Sequence, residues 1–123
     1  YDAKGLMKAA LDDPNPVIYV ETQTLYGLGE KFVKEGVPKK PYSIEIGEPI
    51  FREKGEDITI LTFGSSLYPA LEASKRLRNE FGMTADVIDA RSAVPFNYDE
   101  VIKSVEKTGR IILVNNGVER NNF

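Results

Sequence analysis

The strongest constraint in this sequence is an alternation over residues 57–114. Three short apolar runs stand at 58–63, 85–90 and 111–114, charged only at Asp86 and Asp89, and the two stretches between them repeat apolar residues at helical spacing. Strands that apolar are covered on both faces, and a helix between consecutive strands brings the chain back in the same direction. The pattern predicts a three-layer α/β/α module around a mainly parallel open sheet, with right-handed crossovers. Gly64-Ser65-Ser66 turns the first run into a helix whose Leu67, Ala70, Leu71, Ser74, Leu77 and Phe81 share a face, with Gly82 as its stop. Pro69 suits the first turn, where no N–H is needed. A second helix, opened by Asn97 with Glu100 three positions on, is predicted to bury Val101, Ile102 and Val105 and to end at Gly109.

The first half follows a different logic. Ala3, Leu6, Met7, Ala10 and Leu11 fall at helical spacing behind Asp2, an expected N-cap, and Asp12-Asp13-Pro14-Asn15-Pro16 ends that helix. Val17-Ile18-Tyr19-Val20 is β-branched and aromatic, so a buried strand is expected there, with its partner elsewhere. Glycine and proline then crowd residues 27–56, where only 42–46 alternates like a strand. A connector that long marks a boundary between two domains. Composition alone divides the chain into 1–26, 27–56 and 57–123.

Composition removes whole classes of chemistry. With no cysteine and no histidine, thiolate nucleophiles, serine–histidine pairs and cysteine-ligated metals are excluded. Sixteen basic against 19 acidic residues, without a basic stripe, do not suit nucleic acid. No apolar run approaches the ~20 residues of a membrane span. A cytoplasmic protein without membrane partners is expected. The absence of an initiating methionine, and an end at Asn121-Asn122-Phe123, lead to the expectation of a fragment.

In an open parallel sheet, ligands and partners favour the edge beyond the carboxyl ends of the strands. That edge gathers Gly64-Ser65-Ser66, Asp89-Ala90-Arg91-Ser92 and Asn115-Asn116-Gly117. Ser65 and its neighbours form either a plain N-cap turn or a backbone anion cradle that lacks a phosphate-loop lysine. Asp89 and Arg91 point to one side, as a catalytic pair or as an ion pair holding a loop or a neighbouring subunit. Asp12 and Asp13 are turn residues or a metal clamp. Tyr19, Tyr26, Tyr42, Tyr68 and Tyr98 lack periodicity and are assigned to packing.

Taken in order, residues 9–21 (Ala9-Ala10-Leu11-Asp12-Asp13-Pro14-Asn15-Pro16-Val17-Ile18-Tyr19-Val20-Glu21), Leu25-Tyr26, residues 57–64, Ala70-Leu71-Glu72-Ala73, residues 87–96 and 108–114 resemble the beta subunit of thiamine-dependent 2-oxo-acid dehydrogenases. These are the decarboxylating components for pyruvate and branched-chain 2-oxo acids, within the transketolase-like superfamily. The resemblance implies that residues 1–26 end a pyrimidine-binding domain, that 27–52 are a linker and that 53–123 belong to the C-terminal domain, a second domain that is truncated. It implies oxidative decarboxylation of a 2-oxo acid by thiamine diphosphate with Mg2+, and acyl transfer to lipoyl. It places the activating glutamate and the diphosphate and magnesium ligands outside this sequence, so that the chain by itself is inactive and holds no catalytic or thiamine-binding residue. It also implies a monovalent-cation site, typically K+, on the carbonyls of Ala10, Asp13 and Asn15. Subunit assembly and docking fall to this module, with Asp89, Arg91 and Ser65 as interface candidates. The implied partners are an alpha subunit or domain, the lipoyl acyltransferase component and further copies of the chain.

Two departures from the family pattern stand out. Gly27 replaces an arginine common after the leucine-tyrosine pair, and Asn115-Asn116-Gly117-Val118-Glu119-Arg120 replaces a histidine and paired glycines. The alternatives are a segment of a transketolase or deoxyxylulose-phosphate synthase, and a free-standing module that binds a small anion or a protein.

Overall fold

The structure is a computed structural model that describes residues 1–117. It divides into two compact units, Tyr1–Ile46 and the chain from Gly47 onward.

The first unit is built on α1 (Asp2–Asp12), with a 3-10 turn at Gln23–Leu25. Asp2 lies in the first turn of the helix, and Tyr1 occupies the N-cap position. The remaining chain folds back onto this helix by side-chain and backbone contacts. Lys4 Nζ donates to the carbonyls of Pro38, Lys39 and Lys40, the rings of Tyr1 and Tyr42 stack 4.7 Å apart, and the N–H of Ile44 donates to the Gly5 carbonyl at 3.1 Å. The strand expected at 17–20 does not form, and neither does one at 42–46. A strand exists only where another supplies the opposite half of its ladder. No backbone hydrogen bond joins residues 16–21 to any other described residue.

The second unit contains β1 (Ile50–Glu53), β2 (Ile58–Thr62), a 3-10 turn (Gly64–Ser66), α2 (Leu67–Phe81), β3 (Ala85–Asp89), α3 (Asp99–Thr108) and β4 (Ile111–Val114). The sheet order is β1-β3-β2-β4; β3 and β4 run parallel to β2, and β1 is antiparallel to β3. The expected mainly parallel open sheet is present, with β1 added from a segment assigned to the linker by its glycine and proline content. Ile58, Ile60, Ala85 and Val87 pack with Leu67 and Ala70 of α2 as the core of one face. Ser104 and Thr108 of α3 meet Thr59 on the other face. Both helices end on glycine in the left-handed conformation, Gly82 at φ 66° and Gly109 at φ 71°.

Two helix faces differ from the expectation. Phe81 at the end of α2 is exposed, and so is Ile102 of α3, while Val105 is half-buried. α3 turns Val101, Ser104 and Thr108 to the sheet, because the two hydroxyls have polar partners there that an apolar stripe would leave unpaired. β4 also differs: it is the outer strand among the described residues, and Ile111, Ile112 and Leu113 are exposed rather than covered. No described helix is long and apolar enough to cross a membrane.

Candidate functional site

Charged groups are buried at both ends of β3. At its carboxyl end, Asp89 is 6% exposed and its carboxylate accepts two hydrogen bonds from Arg52, at 2.8 and 3.2 Å. A bulge makes this possible: the register slips between Phe51 and Glu53, leaving Arg52 as the extra residue of β1 and aiming it at the strand end. The Arg91 N–H also donates to Asp89, at 3.2 Å. Arg91 itself stands in the left-handed region at φ 56°, and its guanidinium donates to the Glu48 carbonyl at 2.7 and 3.1 Å. Asn97 completes the ring of contacts. Its side chain donates to the Glu48 carboxylate at 3.1 and 3.3 Å, its N–H to the Gly47 carbonyl at 2.8 Å, and its Oδ1 accepts the Asp99 N–H that opens α3.

This clasp ties residues 47–52 to the loop after β3. Asp89 and Arg91 do lie together, as their spacing suggested. The carboxylate, however, is matched by Arg52, and the Arg91 guanidinium reaches the backbone of Glu48. Sequence reasoning missed Arg52 and Glu48, because a bulge has no residue signature and both partners lie far off in the chain. Ser65 is half-buried, and Asn116 donates to its hydroxyl at 3.4 Å. Asn115 accepts the Gly117 N–H at 2.9 Å, and Val118-Glu119-Arg120 lie outside the described residues.

At the amino end of β3, Asp86 is 1% exposed. It accepts the Gly55 N–H at 2.9 Å and the Ser104 hydroxyl at 2.6 Å, and it pairs with Lys107 at 2.9 Å. Thr59 Oγ1 lies 2.7 Å from the Ser104 hydroxyl and 2.8 Å from that of Thr108, which donates onward to the Arg110 carbonyl. Burial pushes the Asp86 pKa up, but Ser104, Gly55 and Lys107 outweigh it and hold the carboxyl below its ordinary range. Lys107 is raised, first by its hydrogen bond to Asp86. Sequence reasoning missed this network as well. Its available signal was a carboxylate inside an apolar strand, with Ser104 and Thr108 four residues apart on one helix face.

The proposed cation ligands sit at the end of α1. The Asp13 carboxylate accepts the Asn15 N–H at 2.9 Å and its side-chain amide at 3.0 Å, so Asp13 is a turn residue as its Asx-Pro context suggested. The Ala10 carbonyl would ordinarily be satisfied by the residue four positions on, which is Pro14 and has no N–H. Carbonyls in the last turn of a helix, at its negative end, are donors of the type a monovalent cation takes. Among the described residues, no three His, Cys, Asp or Glu side chains gather as a metal site.

Residues 47–123 match the family model for the transketolase C-terminal domain. The chain is 39% identical over 114 residues to the pyruvate dehydrogenase E1 component subunit beta of Bacillus subtilis (strain 168), which covers 93% of this chain and 34% of the relative. It is likewise 39% identical over 114 residues to the 2-oxoisovalerate dehydrogenase subunit beta of the same organism, covering 93% of this chain and 33% of the relative. A solved structure titled a split gene transketolase, inactive beta4 tetramer, superposes with a TM-score of 0.56 at 33% identity, over 64% of this chain and 27% of that one. The chain spans about a third of the length of the curated relatives it matches.

Proposed function

The chain belongs to the transketolase C-terminal-domain family, and on that premise we propose that it is the C-terminal part of a beta subunit in a thiamine-dependent 2-oxo-acid dehydrogenase. Its role there is subunit assembly and partner docking. The observation that carries this reading is the clasp at the strand-end edge. Arg52, Asp89, Arg91, Glu48 and Asn97 are hydrogen-bonded to one another, an arrangement that fixes the shape of a surface loop rather than activating a nucleophile. Residues 1–26 are read as the end of a pyrimidine-binding domain, 27–52 as the connector and 53–123 as the C-terminal domain. The whole enzyme acts on pyruvate or a branched-chain 2-oxo acid in the cytoplasm, with an alpha subunit, further beta copies and a lipoyl acyltransferase as partners. Thiamine diphosphate, bound with Mg2+ by other segments, supplies the carbanion chemistry. This chain alone turns over no 2-oxo acid.

Ala10, Asp13 and Asn15 would hold K+ through their carbonyls at the end of α1. The chain should therefore melt a few degrees higher in potassium chloride than in choline chloride at equal ionic strength, and equal melting in the two salts would contradict the site.

The assembly role is tested in the full-length beta subunit with Arg91→Ala. Sedimentation should show association with the alpha subunit weakened by about tenfold, equivalent to ~1.4 kcal/mol, with kcat of the assembled enzyme unchanged. Normal association with lost turnover would place Arg91 in the chemistry instead.

A further inference from the structure

A cleft of about 200 Å3 opens between the β1 edge of the sheet and α3. Phe51 and Lys54 line it from β1 and the residue just after it, Asp86 from β3, and Glu100, Lys103 and Lys107 from α3. Neither end of the chain lines it, and β2 stands between it and β4, so the cleft is built wholly from the interior of the second unit.

The charges around it do not cancel, since three lysines stand against two carboxylates. Lys107 is committed to the protein: it pairs with Asp86 at 2.9 Å and with Glu56 at 3.6 Å and donates to the Gly55 carbonyl. Asp86 is committed as well, to Lys107, to Ser104 and to the Gly55 N–H. Lys103 pairs with Glu100 at 2.7 Å and keeps N–H groups to spare. Lys54 has no acidic partner among the described residues; its ammonium lies 5.5 Å from the centre of the Phe51 ring, which is half-buried. One positive charge is thus left over, and the donors still free belong to Lys54 and Lys103, beside an aromatic surface.

We propose that this cleft binds a small organic monocarboxylate, whose carboxylate accepts hydrogen bonds from Lys54 and Lys103 and whose apolar body lies on Phe51. One carboxylate matches the one unbalanced charge and takes charge-assisted hydrogen bonds from both ammonium groups. A doubly charged anion would leave a negative charge uncompensated beside Asp86 and Glu100, and an inorganic one would leave the Phe51 ring uncovered. The volume suits a body the size of a benzene ring, which cavities of about 150 Å3 already hold. The proposal rests on no part of the family reading.

The test is benzoate binding followed by NMR, first on the amides of the 123-residue chain and then by saturation transfer to benzoate from the full-length beta subunit assembled with its alpha subunit. Benzoate should bind the chain with a Kd of about 1 mM and shift the amides around Phe51, Lys54 and Lys103. Lys54→Gln should weaken it by about tenfold, and Lys103→Gln by about threefold because Glu100 already shares that charge. Glu100→Gln should tighten it by about threefold, a gain that a folding defect does not produce. Acetate, with the same charge and almost no apolar body, should bind at least about tenfold more weakly. In the assembled enzyme, Lys54→Gln should reduce the saturation transfer. Shifts that fall elsewhere, acetate bound as well as benzoate, or affinity indifferent to Lys54→Gln and Glu100→Gln would overturn the proposal. So would saturation transfer in the assembled enzyme that ignores Lys54→Gln, since another segment would then fill the cleft.

Discussion

Asp86 and Asp89 stand three residues apart on one strand, both nearly inaccessible, and their surroundings could hardly differ more. Asp86 is bound to a helix packed over the sheet, through Ser104 and Lys107, and to the Gly55 turn. Asp89 is bound to a bulged edge strand and to a loop, through Arg52 and the Arg91 backbone. One network fastens a layer of the fold. The other fastens a surface. Burial of a carboxylate therefore says little about its role, whereas the element that supplies its partners says a good deal.

The comparison can be broken at either end. The largest effect is expected from Arg52→Ala, which strands a buried carboxylate and should cost about 4 kcal/mol in urea unfolding. Asp86→Asn should cost about 3 kcal/mol, less because Lys107 keeps access to solvent, and it should also change the pH profile. The folded-state pKa of Asp86 lies below its ordinary 3.8, so its contribution is complete above that value and is lost as pH falls through the folded-state value. Lys107 is raised above 10.5, so its share is complete below that value and is lost as pH rises through the folded-state one. Asp86→Asn should flatten the acid limb, and an unchanged acid limb would assign acid sensitivity elsewhere.

Gly55→Ala probes the turn that donates to Asp86. A Cβ there would stand 2.3 Å from the Ala85 nitrogen and 2.5 Å from the Thr84 carbonyl carbon, both backbone atoms with little room to move. A loss of about 2 kcal/mol is expected. Asn97→Ala removes a helix-opening acceptor and the link to Glu48, and about 1 kcal/mol should follow. If Asn97→Ala proved costlier than Asp86→Asn, the loop clasp rather than the helix network would be the stronger of the two.

The sheet was legible because β2 and β4 are uncharged runs and β3 sets its two aspartates among buried apolar residues, and because Gly82 and Gly109 stand where left-handed caps are needed. β1 was hidden by the glycine and proline around it, and Ile50-Phe51-Arg52-Glu53 carries two adjacent charges that are satisfied only by a bulge and a neighbouring helix. Its Glu53 accepts the Ser74 hydroxyl at 2.6 Å, a contact between residues far apart in the chain. Ile102 was misplaced because helical periodicity counts apolar residues, and on α3 hydrogen bonds to Thr59 and Asp86 turn serine and threonine inward instead. Val17–Val20 was read as a strand from propensity alone, which reports fitness for a pleated surface and not the presence of a neighbour. At the site, the strand-end position of Asp89 and Arg91 followed from topology. Their partners, Arg52 and Glu48, did not, since no local pattern connects residues that meet only after the sheet has formed.

The central claim is that the buried charges at the strand-end edge hold shape and do no chemistry. Replacing both members of the pair, Arg52→Met with Asp89→Leu, in the full-length beta subunit tests it most directly. An apolar pair of similar volume removes the stranded charge, so stability should return to within about 1 kcal/mol of the parent, with alpha-subunit association and turnover retained. A double variant that is equally stable and assembles normally, yet has lost turnover, would contradict the account.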